Sequence, residues 1–81
     1  MKRLLTPSVV RDYAEAPASV RKALDKQTEL LLENLHHPSL RAKKYDGTRD
    51  IWQARVNGSW RFYFTIKDDT YIITRLIPHP K

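Results

Sequence analysis

The sequence has 81 residues, with 15 basic and 9 acidic side chains, three histidines and no cysteine. A chain of this length makes one domain near the lower limit for a self-sufficient core, and without cysteine it has neither disulfides nor thiolate metal ligands. It also has no long apolar run, which excludes a membrane-spanning helix and a secretory signal, so we expect a cytoplasmic protein.

Positive charge is concentrated in the second part of the chain. Residues 1–36 carry six basic and five acidic groups, whereas residues 37–81 carry nine basic and four acidic groups, which gives net charges of +1 and +5. Basic surfaces attract polyanions such as nucleic acids, although an excess of charge also serves solubility alone. The uneven distribution favours a polyanion-binding surface in the second part.

The first part of the chain predicts one strand and two helices. The segment "MKRLLT" predicts a strand over residues 1–6, and residues 7–16 predict a short helix that begins at Pro7 or Ser8. Residues 16–35 predict a long helix, because apolar residues at 20, 24, 31 and 35 fall on one side and charged residues on the other. This helix should end before Pro38, because the residue before a proline avoids helical geometry.

From residue 39 onward the apolar residues recur with a period of two, which is typical of strands. We expect strands near 40–46, 50–56, 60–67 and 70–77, with turns at Asp46-Gly47, Asn57-Gly58 and Asp68-Asp69. One strand, two helices and an antiparallel β-meander predict an α+β domain. Its helices would pack on one sheet face and leave the other face open.

The hairpin "RVNGSWRFYF" contains an arginine in each arm, and the length of its loop decides where they point. A two-residue turn at Asn57-Gly58 would mix charged and large aromatic side chains on both faces. An odd loop with a left-handed Gly58 would separate them, and burying an unpaired guanidinium is costly, so we expect the odd loop. The buried face would then carry Trp52, Ala54, Trp60, Phe62, Phe64 and Ile66, and the open face Gln53, Arg55, Arg61 and Tyr63.

The open face should therefore present basic residues together with one tyrosine. We expect some of Arg41, Lys43 and Lys44 to join it from the preceding strand. Guanidinium groups match phosphate geometry, and Tyr63 could stack on a base, which together indicate RNA binding. The alternative interpretation is a solvent-facing sheet with scattered charges.

Three segments that follow the helical pair resemble the RelE/ParE superfamily of toxins from type II toxin–antitoxin systems. These segments are "LRAKKYDG", "IWQARVNGSWRFYF" and "KDDTYIITRLIPHP". The most specific match is W-x-x-R-[VI]-x-x-x-x-R-[FL]-x-[FY], where YoeB-like members are most similar. The resemblance covers nearly the whole chain and implies one toxin domain over residues 1–81, held inactive by a cognate antitoxin. For the RelE branch it implies metal-independent mRNA cleavage in the ribosomal A site, leaving 2′,3′-cyclic phosphate and 5′-OH ends.

The resemblance also implies roles for individual residues. Arg61 matches the arginine that contacts the scissile phosphate, and Arg55 matches a basic position suited to a second phosphate contact. His79 falls where YoeB-like members carry a histidine near the C-terminus, which makes it the candidate general acid. Lys43 or Lys44 would supply the general base or further positive charge.

Some positions depart from the family pattern. Trp52 and Ala54 stand where lysine-rich RelE members place catalytic lysines, Ala42 stands near the position of a carboxylate base, and Pro80 replaces a terminal tyrosine. These departures leave two alternatives open: a ParE-like inhibitor of DNA gyrase without nuclease activity, and a module that only binds its antitoxin. We expect no cofactor and no metal ion, since the histidines lack metal-ligand spacing.

Overall fold

The structure is a computed structural model that describes residues 1–79. Pro80 and Lys81 lie outside the described residues, and so does the expectation that Pro80 replaces the family's terminal tyrosine. The predicted order of one strand, two helices and a meander is confirmed. The elements are β1 (Lys2–Leu5), α1 (Pro7–Glu15), α2 (Ala18–Glu33), β2 (Lys43–Asp46), β3 (Ile51–Arg55), β4 (Trp60–Lys67) and β5 (Thr70–Pro78).

Both helices follow from local sequence signals. Thr6 precedes α1 and its side-chain oxygen accepts a hydrogen bond from the Val9 N–H at 3.3 Å, which satisfies one of the free donors at the helix start. The predicted apolar stripe of α2 is buried at Val20, Leu24 and Leu31. Since apolar burial is the main stabilising contribution to folding, this stripe anchors α2 on the sheet.

The five strands form one sheet in the order β1-β5-β4-β3-β2. Strand β1 runs parallel to β5, and the other neighbouring strands are antiparallel. Buried side chains from both helices and the sheet form the core on one face of the sheet. Within residues 1–79, no helix is long and apolar enough to cross a membrane. The fully buried side chains include Val9, Leu31, Leu40, Phe62, Phe64, Ile73 and Leu76.

The β3–β4 hairpin has the predicted parity. Ala54 lies opposite Phe62, and Arg55 lies opposite Arg61. Ala54 and Phe62 are buried, whereas both arginines are partly exposed. The expectation that Ala54 and Phe62 lie on the buried face and the two arginines on the open face is therefore confirmed.

The loop of this hairpin differs from the prediction in detail. Gly58 does not adopt a left-handed conformation. Instead the Asn57 side-chain oxygen accepts hydrogen bonds from the N–H groups of Ser59 and Trp60, at 2.8 and 2.9 Å. An asparagine that bonds its own following backbone closes a turn without a positive φ, which explains why the glycine's freedom is not used here.

An ion pair fixes α1 to β5. The Asp12 carboxylate, whose side chain is 15% exposed, accepts a 2.7 Å hydrogen bond from Arg75 Nε and a 3.0 Å bond from the Leu76 N–H. Burial alone would raise the pKa of Asp12, but the bonds from Arg75 and Leu76 outweigh it and hold this pKa below its usual value. The charged form of Asp12 is therefore favoured in the folded protein.

Replacing Asp12 with asparagine should destabilise the fold by about 1.5–3 kcal/mol at neutral pH, because hydrogen bonds to a charged group are lost. A lowered folded-state pKa contributes stability above the unfolded carboxyl value of about 3.9, and this contribution disappears as pH falls through the lowered pKa. In urea denaturation between pH 3 and 7, the difference between wild type and Asp12→Asn should therefore shrink on acidification. Glu15→Gln, on the same helix, is the matched control; a difference that is constant with pH would contradict the prediction.

Candidate nucleic-acid interface

A cleft of about 220 Å³ opens on the sheet face that the helices leave uncovered. We call it the basic cleft. Its walls come from the segment before β2, from β2, β3 and β4, and from the residue that follows β5. The lining residues are Arg41, Lys43, Gln53, Ala54, Arg55, Arg61 and His79.

The two hairpin arginines are direct cross-strand neighbours in this cleft. Arg55 faces Arg61 across β3 and β4. Like charges at opposed positions destabilise a sheet. Within residues 1–79, no carboxylate forms an ion pair with either arginine, because the ion pairs of the described chain involve other cations. An arrangement that opposes stability without a built-in counter-ion indicates a place where an anion binds.

The β3–β4 loop orients two of the predicted site residues. Arg61 Nη1 donates to the carbonyl oxygens of Asn57 and Trp60, at 2.7 and 2.9 Å. The His79 N–H donates to the Ser59 carbonyl at 2.7 Å. The loop therefore holds one edge of the Arg61 guanidinium and the backbone of His79, and it leaves the remaining guanidinium N–H groups for a ligand.

Asn57→Ala tests this role of the loop. The variant should lose about 1 kcal/mol of stability, since two backbone N–H groups lose their side-chain acceptor. Anion binding in the basic cleft should weaken at the same time, because Arg61 and His79 depend on the loop for their positions. Denaturation and titration with a short RNA measure the two effects. Asn57→Asp keeps the acceptor oxygen and should retain the stability; equal stability losses in both variants would contradict the loop mechanism.

Arg41 reaches the cleft through an unusual backbone conformation. Its φ of 47° is left-handed, which costs a non-glycine residue about 1 kcal/mol or more. This conformation also explains why β2 begins at Lys43 rather than near residue 40. The preceding Leu40 is fully buried, and its carbonyl accepts a 2.7 Å hydrogen bond from the Arg55 N–H. Arg41 is thus turned towards the cleft by a chain that is fixed on both sides of it.

Gln27 on α2 supports this region, although the sequence pattern did not predict it as a site residue. Its side-chain amide donates to the carbonyl oxygens of Ser39 and Arg55, at 3.1 and 2.8 Å. Gln27 is buried although it is polar. A glutamine on the apolar side of the helix, between Leu24 and Leu31, was the available signal, because a buried amide must bond a specific partner.

Lys44 is not among the residues that line the basic cleft, so of the two lysines Lys43 is the one that joins it. Lys44 pairs with Trp52 in the β2–β3 register, on the helix side of the sheet. Its Nζ lies 3.1 Å from an Asp50 carboxylate oxygen and 6.0 Å from the centroid of the Trp52 ring. Successive side chains of a strand point to opposite faces, so only one of two adjacent lysines can reach the cleft, and that residue is Lys43.

Tyr63 lies beside the cleft rather than in its wall. Its hydroxyl accepts a 2.9 Å hydrogen bond from the side-chain amide of Gln53, which does line the cleft. Its ring meets the ring of Tyr45 edge to face, with centroids 5.2 Å apart. The expectation that Tyr63 stacks on a base stays a prediction, and its ring already has an aromatic neighbour.

The chemistry of the basic cleft suits an anion rather than a metal. Within residues 1–79, no group of three or more His, Cys, Asp or Glu side chains is placed to hold a metal ion. Guanidinium groups form paired, charge-assisted hydrogen bonds with phosphate oxygens, and an imidazole exchanges protons near neutral pH. The side-chain types of the cleft are thus suited to a phosphate group.

Comparison of the sequence with protein-family models and with curated proteins found no match. Among solved structures, the YoeB/ParE toxin from Agrobacterium tumefaciens aligns with a TM-score of 0.81 and 15% identity, covering 99% of this chain and 100% of that one. The YoeB dimer from Staphylococcus aureus aligns with a TM-score of 0.80 and 15% identity, covering 99% and 98%.

A third similar structure is the toxin in the RelB–RelE antitoxin–toxin complex from Methanococcus jannaschii. It aligns with a TM-score of 0.74 and 24% identity, covering 93% of this chain and 88% of that one. The chain thus has the fold of the RelE/YoeB/ParE-like toxins, which confirms the fold that the sequence predicted. At these identities the likeness concerns the fold, and function has to be argued from the cleft.

Proposed function

We propose that this chain is the toxin of a type II toxin–antitoxin system, acting in the cytoplasm as a metal-independent endoribonuclease on mRNA in the ribosomal A site. The observation that carries the proposal is the basic cleft, where Arg55 and Arg61 face each other with no carboxylate of residues 1–79 paired to them and with His79 beside them. The fold shared with YoeB- and RelE-type toxins supports it.

The proposed reaction uses the RNA's own 2′-OH as the nucleophile. The 2′ oxygen forms a bond to the adjacent phosphorus while the bond from phosphorus to the 5′ oxygen breaks, which leaves a 2′,3′-cyclic phosphate and a 5′-OH. Arg61 and Arg55 bind the phosphate oxygens, where negative charge increases in the transition state. His79 gives a proton to the departing 5′ oxygen.

The proton of the 2′-OH needs an acceptor, and Lys43 is the candidate. It is the cleft residue from β2, whereas Lys44 points to the other face. Ala42, near the family's carboxylate position, packs against the core, and no carboxylate lines the cleft within residues 1–79. The Trp52 and Ala54 side chains likewise pack in or against the core on the helix side of the sheet, although residue 54 also contributes to the cleft wall. With Lys43 as the proton acceptor, Arg41 supplies positive charge of the kind that lysine-rich relatives place on β3.

An antitoxin is the proposed protein partner. The similar archaeal RelE structure is a complex with RelB. An acidic, disordered segment that folds on binding would neutralise the basic cleft and keep RNA out of it. The predicted complex is a hetero-oligomer of toxin and antitoxin.

The test is cleavage of a defined mRNA on programmed ribosomes, with 5′ ends mapped by primer extension. We expect cuts within the A-site codon, without added metal beyond what the ribosome requires. Chemical analysis should find cyclic phosphate on the upstream fragment. If the mRNA stays intact while the purified protein is folded, the nuclease proposal is wrong, and inhibition of gyrase supercoiling becomes the next measurement.

His79→Ala should slow this cleavage by about 100- to 10,000-fold, the usual contribution of a general acid. His79 is exposed, so the fold should remain intact. The discriminating substrate carries a 5′-thio leaving group, which departs without protonation. The variant should cleave that substrate at nearly the wild-type rate. Equal defects on both substrates would assign the acid role to another group.

A further inference from the structure

An exposed tyrosine stands on the open sheet face next to the basic cleft. Tyr45 is 60% exposed, more than the other exposed large hydrophobic side chains among residues 1–79. It follows Lys43 on β2, beside an irregular pairing with β3, and its contact with the Tyr63 ring places it on the open face. Its only described ring partner is Tyr63, at 5.2 Å and an interplanar angle of 80°. Tyr45 adds nothing to the core and presents aromatic surface to solvent.

This tyrosine forms one wall of a second hollow of about 240 Å³, which we call the Tyr45 shelf. The shelf is built mainly from apolar and aromatic side chains, in contrast to the basic cleft. It is lined by Tyr45, Ile51, Tyr63, Thr74, Arg75 and Ile77.

A side-chain hydrogen bond joins the two hollows. Gln53 lines the basic cleft, and its amide donates to the Tyr63 hydroxyl, which belongs to the shelf, at 2.9 Å. Cations that bind the backbone next to an aromatic surface for the bases are the combination that binds single-stranded nucleic acid. A ligand that places a phosphate between Arg55 and Arg61 would have its neighbouring nucleotide over the shelf.

We infer that the Tyr45 shelf receives the nucleobase adjacent to the phosphate held in the basic cleft, with Tyr45 as the stacking surface and Tyr63 as its support. The inference rests on the proposed function, because the phosphate in the cleft is that of the RNA substrate. Tyr63 is fixed by Gln53 and already contacts Tyr45, so the ring with free surface is that of Tyr45. Tyr45 is therefore a base-stacking residue, and the phosphate contacts stay with the arginines.

The experiment measures RNA binding without cleavage. The probe is a trinucleotide of 2′-O-methyl RNA, which has no 2′-OH to attack the phosphate, and a second probe lacks one base (abasic) while keeping every phosphate. Calorimetric titration at low salt compares wild type, Tyr45→Ala, Tyr45→Trp, Tyr45→Leu and Arg61→Ala. Thermal unfolding of each variant shows that it is folded.

Tyr45→Ala should weaken binding of the complete trinucleotide by about 5- to 100-fold, the usual effect of removing one stacking partner. It should leave the abasic probe unaffected when the missing base is the stacked one. Tyr45→Trp should bind at least as well as wild type, and Tyr45→Leu should resemble Tyr45→Ala, because an aliphatic side chain has no π-face.

Two results with the Tyr45 variants would overturn the inference. One is wild-type affinity of Tyr45→Ala for the complete probe, and the other is full retention of affinity by Tyr45→Leu, which would assign the shelf to an apolar protein segment. Arg61→Ala should weaken both probes equally. Failure of the nuclease proposal can be distinguished from failure of this inference, because the nuclease proposal is tested by the ribosomal cleavage assay and not by these titrations. Binding of neither probe by wild type would also overturn the inference.

Discussion

Replacing Arg61 with alanine should lower the rate of mRNA cleavage by about 100- to 1,000-fold, the cost of removing one positioned donor from a developing oxyanion. The structure gives this residue a fixed geometry. The backbone carbonyls of Asn57 and Trp60 hold Nη1, at 2.7 and 2.9 Å, in a residue that lines the basic cleft. A preorganised donor lowers the barrier without reorganising during the reaction, which is why a large effect is expected.

Arg61→Lys separates geometry from charge. Lysine keeps the positive charge but has no planar fork with which to bond both the loop carbonyls and a phosphate. We expect it to recover less than about a tenth of the lost activity, a shortfall of about 1.4 kcal/mol in the activation free energy. Single-turnover cleavage on ribosomes provides the measurement. Arg11→Ala removes one exposed charge from α1 and should cleave like wild type. Full activity of Arg61→Lys would show that only net charge matters at this position.

Patterning alone predicted which face of the hairpin carries the arginines. A one-residue change in register would bury Arg55 or Arg61 beside Phe62, and the cost of that burial decided the parity. The two helices were expected on one side of the sheet for the same reason, because the apolar stripe of α2 and the aromatic side chains of β4 are both buried when they pack against each other. These features depend on the period of the apolar residues, which is written in the sequence.

Details that depend on one backbone conformation could not be predicted in the same way. The left-handed backbone conformation of Arg41 has no local sequence signal. It accompanies the hydrogen bond from the Arg55 N–H to the Leu40 carbonyl, which joins residues that are distant in the sequence. The loop at Asn57 closes through a side-chain bond, although Asn57-Gly58 favours another turn type. Between Lys43 and Lys44, the choice needed the exact β2–β3 register, which a short strand beside an irregular pairing does not determine.

The largest effect on stability should come from Phe64→Ala. Phe64 is fully buried, and its ring has three aromatic neighbours: Trp52 at 6.0 Å, Phe62 at 5.8 Å and Tyr71 at 5.7 Å between centroids. Removing it leaves a cavity that β4 and its neighbours cannot fill without breaking the sheet, so we expect a loss of about 3–5 kcal/mol. Native domains are stable by only about 5–15 kcal/mol, and a chain this short belongs near the lower end. Urea denaturation should therefore find the variant largely unfolded or close to it.

Two variants show whether this loss arises from the cavity. Phe64→Leu retains part of the apolar volume and should cost clearly less than Phe64→Ala, because the cavity term decreases with the volume that is filled. Tyr45→Ala removes an aromatic ring from the open face, where it is 60% exposed, and should cost about 1 kcal/mol or less. The two aromatic residues lie on opposite faces of one sheet, so the contrast separates side chains that stabilise the fold from side chains on the open face. Similar losses for Phe64→Ala and Tyr45→Ala would mean that the open face is itself part of the stabilising core.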